Sequence, residues 1–140
     1  MSVQPHVLTF PADMGGFEMA FDDLRAWLDR NDIPAKAHFS AELVFEEVVT
    51  NIVKYGFEEP AGQTVEVELS HDQAVLVMVF VDSGYAFDPL QKEDPVLPAS
   101  IEEAKIGGLG LMLVRKASRA LSYERTDEGQ NRFTVELATA

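Results

Sequence analysis

The stretch 42–57, "ELVFEEVVTNIVKYGF", holds two patterns at once. At about 100° per residue, Ala41, Val44, Phe45, Val48, Val49 and Ile52 share one broad apolar face, as a helix laid against a core requires. Glu47, Asn51 and Lys54 form a second stripe roughly 60° wide that borders this face. A polar row at i, i+4 and i+7 is ordinary on the edge of a surface helix. Asparagine is the odd member, because its side chain competes with the helix for backbone hydrogen bonds. Pro34 stands where such a helix begins, and Gly56 stands where it stops.

Outward from this helix the chain reads as alternating elements. "HVLTFPA" is a short first strand, and Asp13 caps a helix carrying Phe17, Phe21, Leu24 and Leu28 at helical spacing. "TVEVEL" alternates like a half-buried strand, "SHDQ" turns, and "AVLVMVFVD" is apolar on both faces like a central strand. From Gly84 to about Ile106 the chain holds Pro89, Pro95 and Pro98 with little periodicity, a long loop with one helical turn around "SIEEA". Loops of that length in compact domains are often functional lids. "GGLGLMLVRKASRAL" opens with glycines and becomes a helix with Leu109, Met112 and Leu113 on one side. "LSYER", the turn "TDEGQN" and "RFTVEL" close the chain as a hairpin. The order β-α-α-β-β-loop-α-β-β predicts one α+β domain over 1–140, a two-layer sandwich with helices on one face of a mostly antiparallel (mixed) sheet.

Composition narrows the function. The chain has 140 residues, 46% apolar and 25% charged, a profile of ordered soluble domains. Its eight-residue apolar run "AVLVMVFV" is far short of the roughly 20 residues of a membrane span, and "MSVQPHVLTF" lacks the pattern of a secretory signal. Cysteine is absent, which removes disulfides, thiol nucleophiles and Cys metal sites. A cytoplasmic location fits. Twenty-four acids against 11 bases give a net charge of −13, which argues against direct nucleic-acid binding but not against one nucleotide held by a local cluster of donors.

Two further motifs accompany the helix. In "VDSGYAFDP", residues 81–89, a central strand ends in Asp82 and turns through Ser83 and Gly84. An acid there is costly unless it meets a donor. It is either a turn-capping aspartate or an acceptor for the exocyclic amine of a ligand. In "GGLGLMLV", residues 107–114, glycines lead into a helix N-terminus whose bare N–H groups can bind an anion. A hinge before a helix explains them equally well. Neither the Walker-A pattern nor a dinucleotide fingerprint is present, and the protein-kinase signatures are missing too.

The order and spacing of the three motifs resemble those of the GHKL ATPase superfamily, with its N box, G1 box and G2 box. Within it, the short form with "EEVVTNIVKYGF", "DSGYAFDP" and "GGLGLMLVRK…YERTDEGQNRFTVEL" resembles the anti-sigma regulatory factors that are serine/threonine-protein kinases. The resemblance implies a histidine-kinase-like ATPase fold that binds ATP and Mg²⁺. It implies that Asn51 ligates Mg²⁺, that Glu47 is the general base, and that Lys54 and Tyr55 face the phosphates. Asp82 would accept from the adenine amine, with Gly84 letting the backbone approach the ring. Gly108, Leu109, Gly110 and Leu111 would offer N–H groups to the phosphates. Thr134 would join the hydrogen bonding behind Asp82, and residues from about 85 to 107 would form a lid. Two positions depart from the pattern: Ala86 replaces a second glycine, and Arg119 stands where relatives carry an acid.

Two functions follow from the resemblance. One is phosphorylation of a STAS-type anti-sigma antagonist, with a sigma factor as a second partner and pairing of two copies. The other is a nucleotide-dependent protein-binding switch of the same fold without turnover.

Overall fold

The structure, a computed structural model, describes residues 4–91 and 108–140, without the side chains of Gln91, Gly108 and Leu109. The first strand, β1 (His6–Pro11), leaves the sheet at Ala12. The Asp13 carboxylate then accepts from the Gly16 N–H at 2.7 Å and caps α1 (Met14–Arg30). Pro34 precedes α2 (Ala35–Tyr55), which ends at Gly56. Gly56 stays right-handed (φ −76°, ψ −23°), so it ends the helix without a left-handed turn.

Strands β2 (Thr64–Asp72) and β3 (Val75–Asp82) form a hairpin. It turns on Gln73 and Ala74, with Gln73 at φ 37°. The expected turn "SHDQ" is therefore mostly strand, because Ser70, His71 and Asp72 pair with Val77, Leu76 and Val75. A short 3₁₀ turn at Pro89–Gln91 follows. The rest of the expected lid, with the helical turn around "SIEEA", lies outside the described residues. The chain resumes as α3 (Gly108–Ala117), then β4 (Ala120–Arg125) and β5 (Asn131–Ala138).

The strand order is β1-β2-β3-β5-β4, and every pair is antiparallel. The strand that is apolar on both faces, β3, is the central one. Its residues Leu76, Met78 and Phe80 join the core with Phe133, Val135 and Leu137 of β5 and the apolar faces of α1 and α2. Phe45 of α2 is fully buried, with the rings of Phe10, Phe17, Phe21 and Phe80 packed around it.

Helix α3 packs on α2, but not by the face expected. Leu111 and Val114 are buried, Met112 is only partly so, and Leu113 is 40% exposed. The i, i+3 series 111, 114 and 117 is the buried side of α3, with Val114 in the core and Ala117 packed against it, and the Leu109 side chain lies outside the described residues. Among the described residues, no helix is long and apolar enough to cross a membrane.

Candidate functional site

A cavity of about 300 Å³ opens between the end of α2, the end of β3 and the start of α3. Val48, Ile52, Phe80, Leu111 and Phe133 give it apolar walls, while Asn51, Tyr55, Asp82, Tyr85, Tyr123 and Asn131 add polar groups. Such a lining, mostly apolar with a few convergent polar groups, is typical of a small-molecule site.

Asp82, which lines the cavity, is 7% exposed. Its Oδ1 accepts from the Gly84 N–H at 2.9 Å and from Asn131 Nδ2 at 3.1 Å. Among the described residues both bonds end on Oδ1, so Oδ2 is the oxygen left for a ligand donor. Burial pushes the Asp82 carboxyl above its ordinary value; the Asn131 amide, the Gly84 N–H and the charge of Arg125 pull it partly back.

Gly84 is required, though by the protein itself. A Cβ there would stand 2.2 Å from the Gly56 carbonyl oxygen, and Tyr85 N–H donates to that same oxygen at 2.9 Å. The absent side chain lets the turn after β3 seat on the end of α2. Ala86 lines the cavity, and its φ is not positive; among the described non-glycine residues only Asp32 and Gln73 have a positive φ. The Cβ at the position of the expected second glycine therefore imposes no strain.

Glu47 and Asn51 lie one turn apart on α2. Asn51 lines the cavity. Glu47 is half-buried against the first turn of α3, and a Cβ at Gly110 would come within 2.1 Å of its Oε2. Burial raises the Glu47 carboxyl above its ordinary value, Glu46 raises it further, and Lys54 opposes both. A carboxylate moved toward neutrality is a better general base. The first N–H groups of α3, from Gly108 to Gly110, have no carbonyl within the helix to bond and stand at its positive end.

Of the expected residues, the structure gathers Asn51, Tyr55, Asp82 and Leu111 around the cavity, with Gly84 just behind Asp82 and Glu47 against Gly110. Gly108 and Leu109 open α3. Lys54 is exposed and does not line the cavity. Thr134 is misassigned. It pairs with Val79 on the face of the sheet away from the helices, whereas Asp82 pairs with Asn131 on the helix face. Asn131 does what was expected of Thr134. It was hidden because "TDEGQN" reads as one turn, while the turn stops at Gln130 and Asn131 opens β5. The signal available was register: β5 runs antiparallel to β3, so the first residue of β5 meets the last of β3.

The fold is a two-layer α+β sandwich with a cavity of small-molecule size between its helices and sheet. Residues 10–136 match the family described as a histidine kinase-like ATPase domain, and the chain belongs to that family. It is 32% identical over 117 residues to the serine/threonine-protein kinase BtrW of Bordetella bronchiseptica, covering 81% of this chain and 82% of that one. Two solved structures share the fold. The RsbU and RsbW domains of Rv1364c from Mycobacterium tuberculosis align over 99% of this chain with a TM-score of 0.65 and 16% identity. This chain spans 34% of that longer one. The SiaB–SiaC complex from Pseudomonas aeruginosa aligns over 95% of this chain and 89% of that one, with a TM-score of 0.62 and 17% identity.

Proposed function

We propose that this protein is an ATP-dependent serine/threonine-protein kinase of the anti-sigma regulatory type, acting in the cytoplasm on a hydroxyl of a STAS-type antagonist protein. The observation that carries the reading is a single cavity lined by a buried acceptor, Asp82, together with Asn51 and Leu111 of the first turn of α3. Glu47 stands one helical turn before Asn51, against Gly110. The relationship to a serine/threonine-protein kinase at 32% identity supports the reaction class. SiaB, a neighbour in fold, is solved in complex with SiaC, which is in keeping with a protein partner. A sigma factor as second partner and pairing of two copies belong to the same reading.

In this mechanism the adenine amine donates to Asp82, and the apolar walls hold the base. Asn51 and the first N–H groups of α3 face the phosphates, Tyr55 supplies a hydroxyl at the rim, and Lys54 adds positive charge from the solvent outside the cavity. Among the described residues no cluster of three His, Asp or Glu side chains could cage a metal ion. Asn51 Oδ1 would be the residue that holds Mg²⁺, an oxygen donor of the kind this ion takes in small number from proteins. When bound, the ion supplies positive charge to the phosphate oxygens. Glu47 takes the proton of the acceptor hydroxyl as its oxygen bonds to the γ-phosphorus and the bond to the β–γ bridging oxygen breaks, releasing ADP.

The test is calorimetry with Mg-ATP and Mg-ADP on wild type, Asn51→Ala and Glu47→Ala, followed by mass spectrometry of the acceptor protein. Nucleotide binding lost in Asn51→Ala, with binding kept and phosphoserine lost in Glu47→Ala, supports the kinase. Nucleotide-dependent partner binding with no phosphorylated product in wild type would leave only the switch without turnover.

A further inference from the structure

A second cavity, of about 480 Å³, opens at the other end of α2, where the start of that helix meets the end of α3 and the end of β5. Lys36 and Asn51 lie about 22 Å apart along the α2 axis at 1.5 Å per residue, so this cavity is separate from the one around Asp82. Lys36, Lys116 and Arg119 all line it, and no acidic side chain does. They are three of only 11 bases in a chain of net charge −13. Among the described residues, none of the three side chains pairs with a carboxylate.

Helix electrostatics accounts for one of these charges and opposes another. Lys116 stands in the last turn of α3, where the dipole favours a cation. Lys36 is the second residue of α2, at the positive end, where the dipole disfavours one. That end has no side-chain cap and no acid in its first turn, whereas Asp13 caps α1. Arg119 follows α3 in the turn to β4, at a position where the sequence departs from the pattern it resembles. Three like charges on one cavity repel, and no side chain among the described residues offsets them. Phe39 adds a second feature. It is 69% exposed, the most of the large apolar side chains described, and as the i+3 neighbour of Lys36 it lies one turn along the same side of α2.

We propose that this face docks an acidic segment of a protein partner, with its carboxylates in the cavity and an apolar residue resting on Phe39. Exposed cations are hydrated and screened, so a single small anion gains little from each of them. A segment carrying several carboxylates engages all three at once, and its linked contacts reinforce one another. The half-buried Ser40 hydroxyl adds a donor to the cavity wall. The net negative charge of the chain repels a long nucleic acid or an anionic membrane, whereas a short segment meets mainly the local cations. The inference stands on the second cavity and does not depend on the first one holding ATP.

The probe is a short fluorescent peptide of glutamates around one leucine, compared by anisotropy with its glutamine counterpart on the full chain. Wild type is expected to bind the glutamate peptide alone, and more weakly as salt rises from about 50 to about 200 mM. Replacing Lys36, Lys116 and Arg119 together by glutamine should weaken binding about 10-fold or more. Arg132→Gln, the same kind of charge loss on the outer face of the sheet, should change it by less than about 2-fold. Phe39→Ser should weaken the leucine peptide about 5-fold and leave a peptide with alanine in its place unaffected. Lys36→Glu should abolish binding while raising the melting temperature of the free protein by about 1–4 °C, because an acid suits that helix end. Equal binding of the glutamate and glutamine peptides by wild type, wild-type binding in the triple variant, or a lower melting temperature in Lys36→Glu overturns the proposal. Displacement of the peptide by an equimolar amount of inorganic phosphate, or tighter binding of a single-stranded oligonucleotide or of phosphatidylserine vesicles, overturns the choice of an acidic segment as the occupant.

Discussion

Gly110→Ala separates the placement of Glu47 from the stability of the helix it touches. Among the described residues the glycines with positive φ are Gly62 and Gly129, so the backbone at 110 accepts alanine. The obstacle is space: the added Cβ would lie 2.1 Å from Glu47 Oε2 and 3.0 Å from its Cδ. Ordinary contact is at about 3.5 Å, so the carboxylate must move by about 1.4 Å. The movable part is the end of a side chain, and an off-rotamer shift costs about 0.5–1.5 kcal/mol. Replacing glycine by alanine inside a helix returns about 1 kcal/mol. Stability in urea should therefore stay within about 1 kcal/mol of wild type. Misplacing a catalytic group by about 1 Å costs on the order of 100-fold, within the roughly 10²–10⁴ that a general base contributes. Single-turnover transfer of labelled γ-phosphate to a STAS-type acceptor should thus fall about 100-fold, with ATP affinity held within about 3-fold. Adding Glu47→Ala should cost little more, since both changes remove the same group. Wild-type transfer in a stable Gly110→Ala protein would falsify the assignment of Glu47 as the base. A stability loss above about 2 kcal/mol would show that backbone rather than the carboxylate gives way.

Three other outcomes follow from the same geometry. Phe45→Ala, surrounded by four rings and fully buried, should cost about 3–5 kcal/mol, read as a lower urea midpoint with an unchanged slope. Gly84→Ala meets backbone, with its Cβ 2.2 Å from the Gly56 oxygen, and should lose about 1–3 kcal/mol together with nucleotide affinity; a wild-type urea midpoint would refute this account of the turn. Asp82→Asn concerns pH. A carboxyl raised above its ordinary 3.8 by burial binds its proton more tightly folded than unfolded. Its contribution to stability is therefore full below about 3.8 and is lost as pH rises through the folded value. At pH 7.5 Asp82→Asn should melt at or above the wild-type temperature, while ATP affinity falls about 10- to 100-fold for the lost charged acceptor. A lower melting temperature with intact affinity would contradict both halves.

The sequence by itself determined the element order and the identity of the central strand. Those follow from local periodicity: 3.6 residues per turn in α2, alternation in β2, and apolar residues on both faces of β3. It also determined that Glu47 and Asn51 share a stripe, because helical geometry relates residues one turn apart without reference to the rest of the chain. What the tertiary structure decided are the contacts between elements distant in sequence. Periodicity could not choose which side of α3 meets α2, since its leucines and methionine surround the helix; packing selected Leu111 and Val114. Lys54 belongs to the same stripe as Asn51, yet the last turn of α2 carries it clear of the cavity into solvent. Gly84 and Gly110 look like phosphate- or base-binding glycines in the sequence, but their missing side chains make room for the Gly56 carbonyl and the Glu47 carboxylate. The partner of Asp82 is the clearest case. Whether Thr134 or Asn131 stands behind it depends on the register of β3 with β5, a pairing across 49 residues. A shift of one residue in that register turns every side chain to the other face of the sheet.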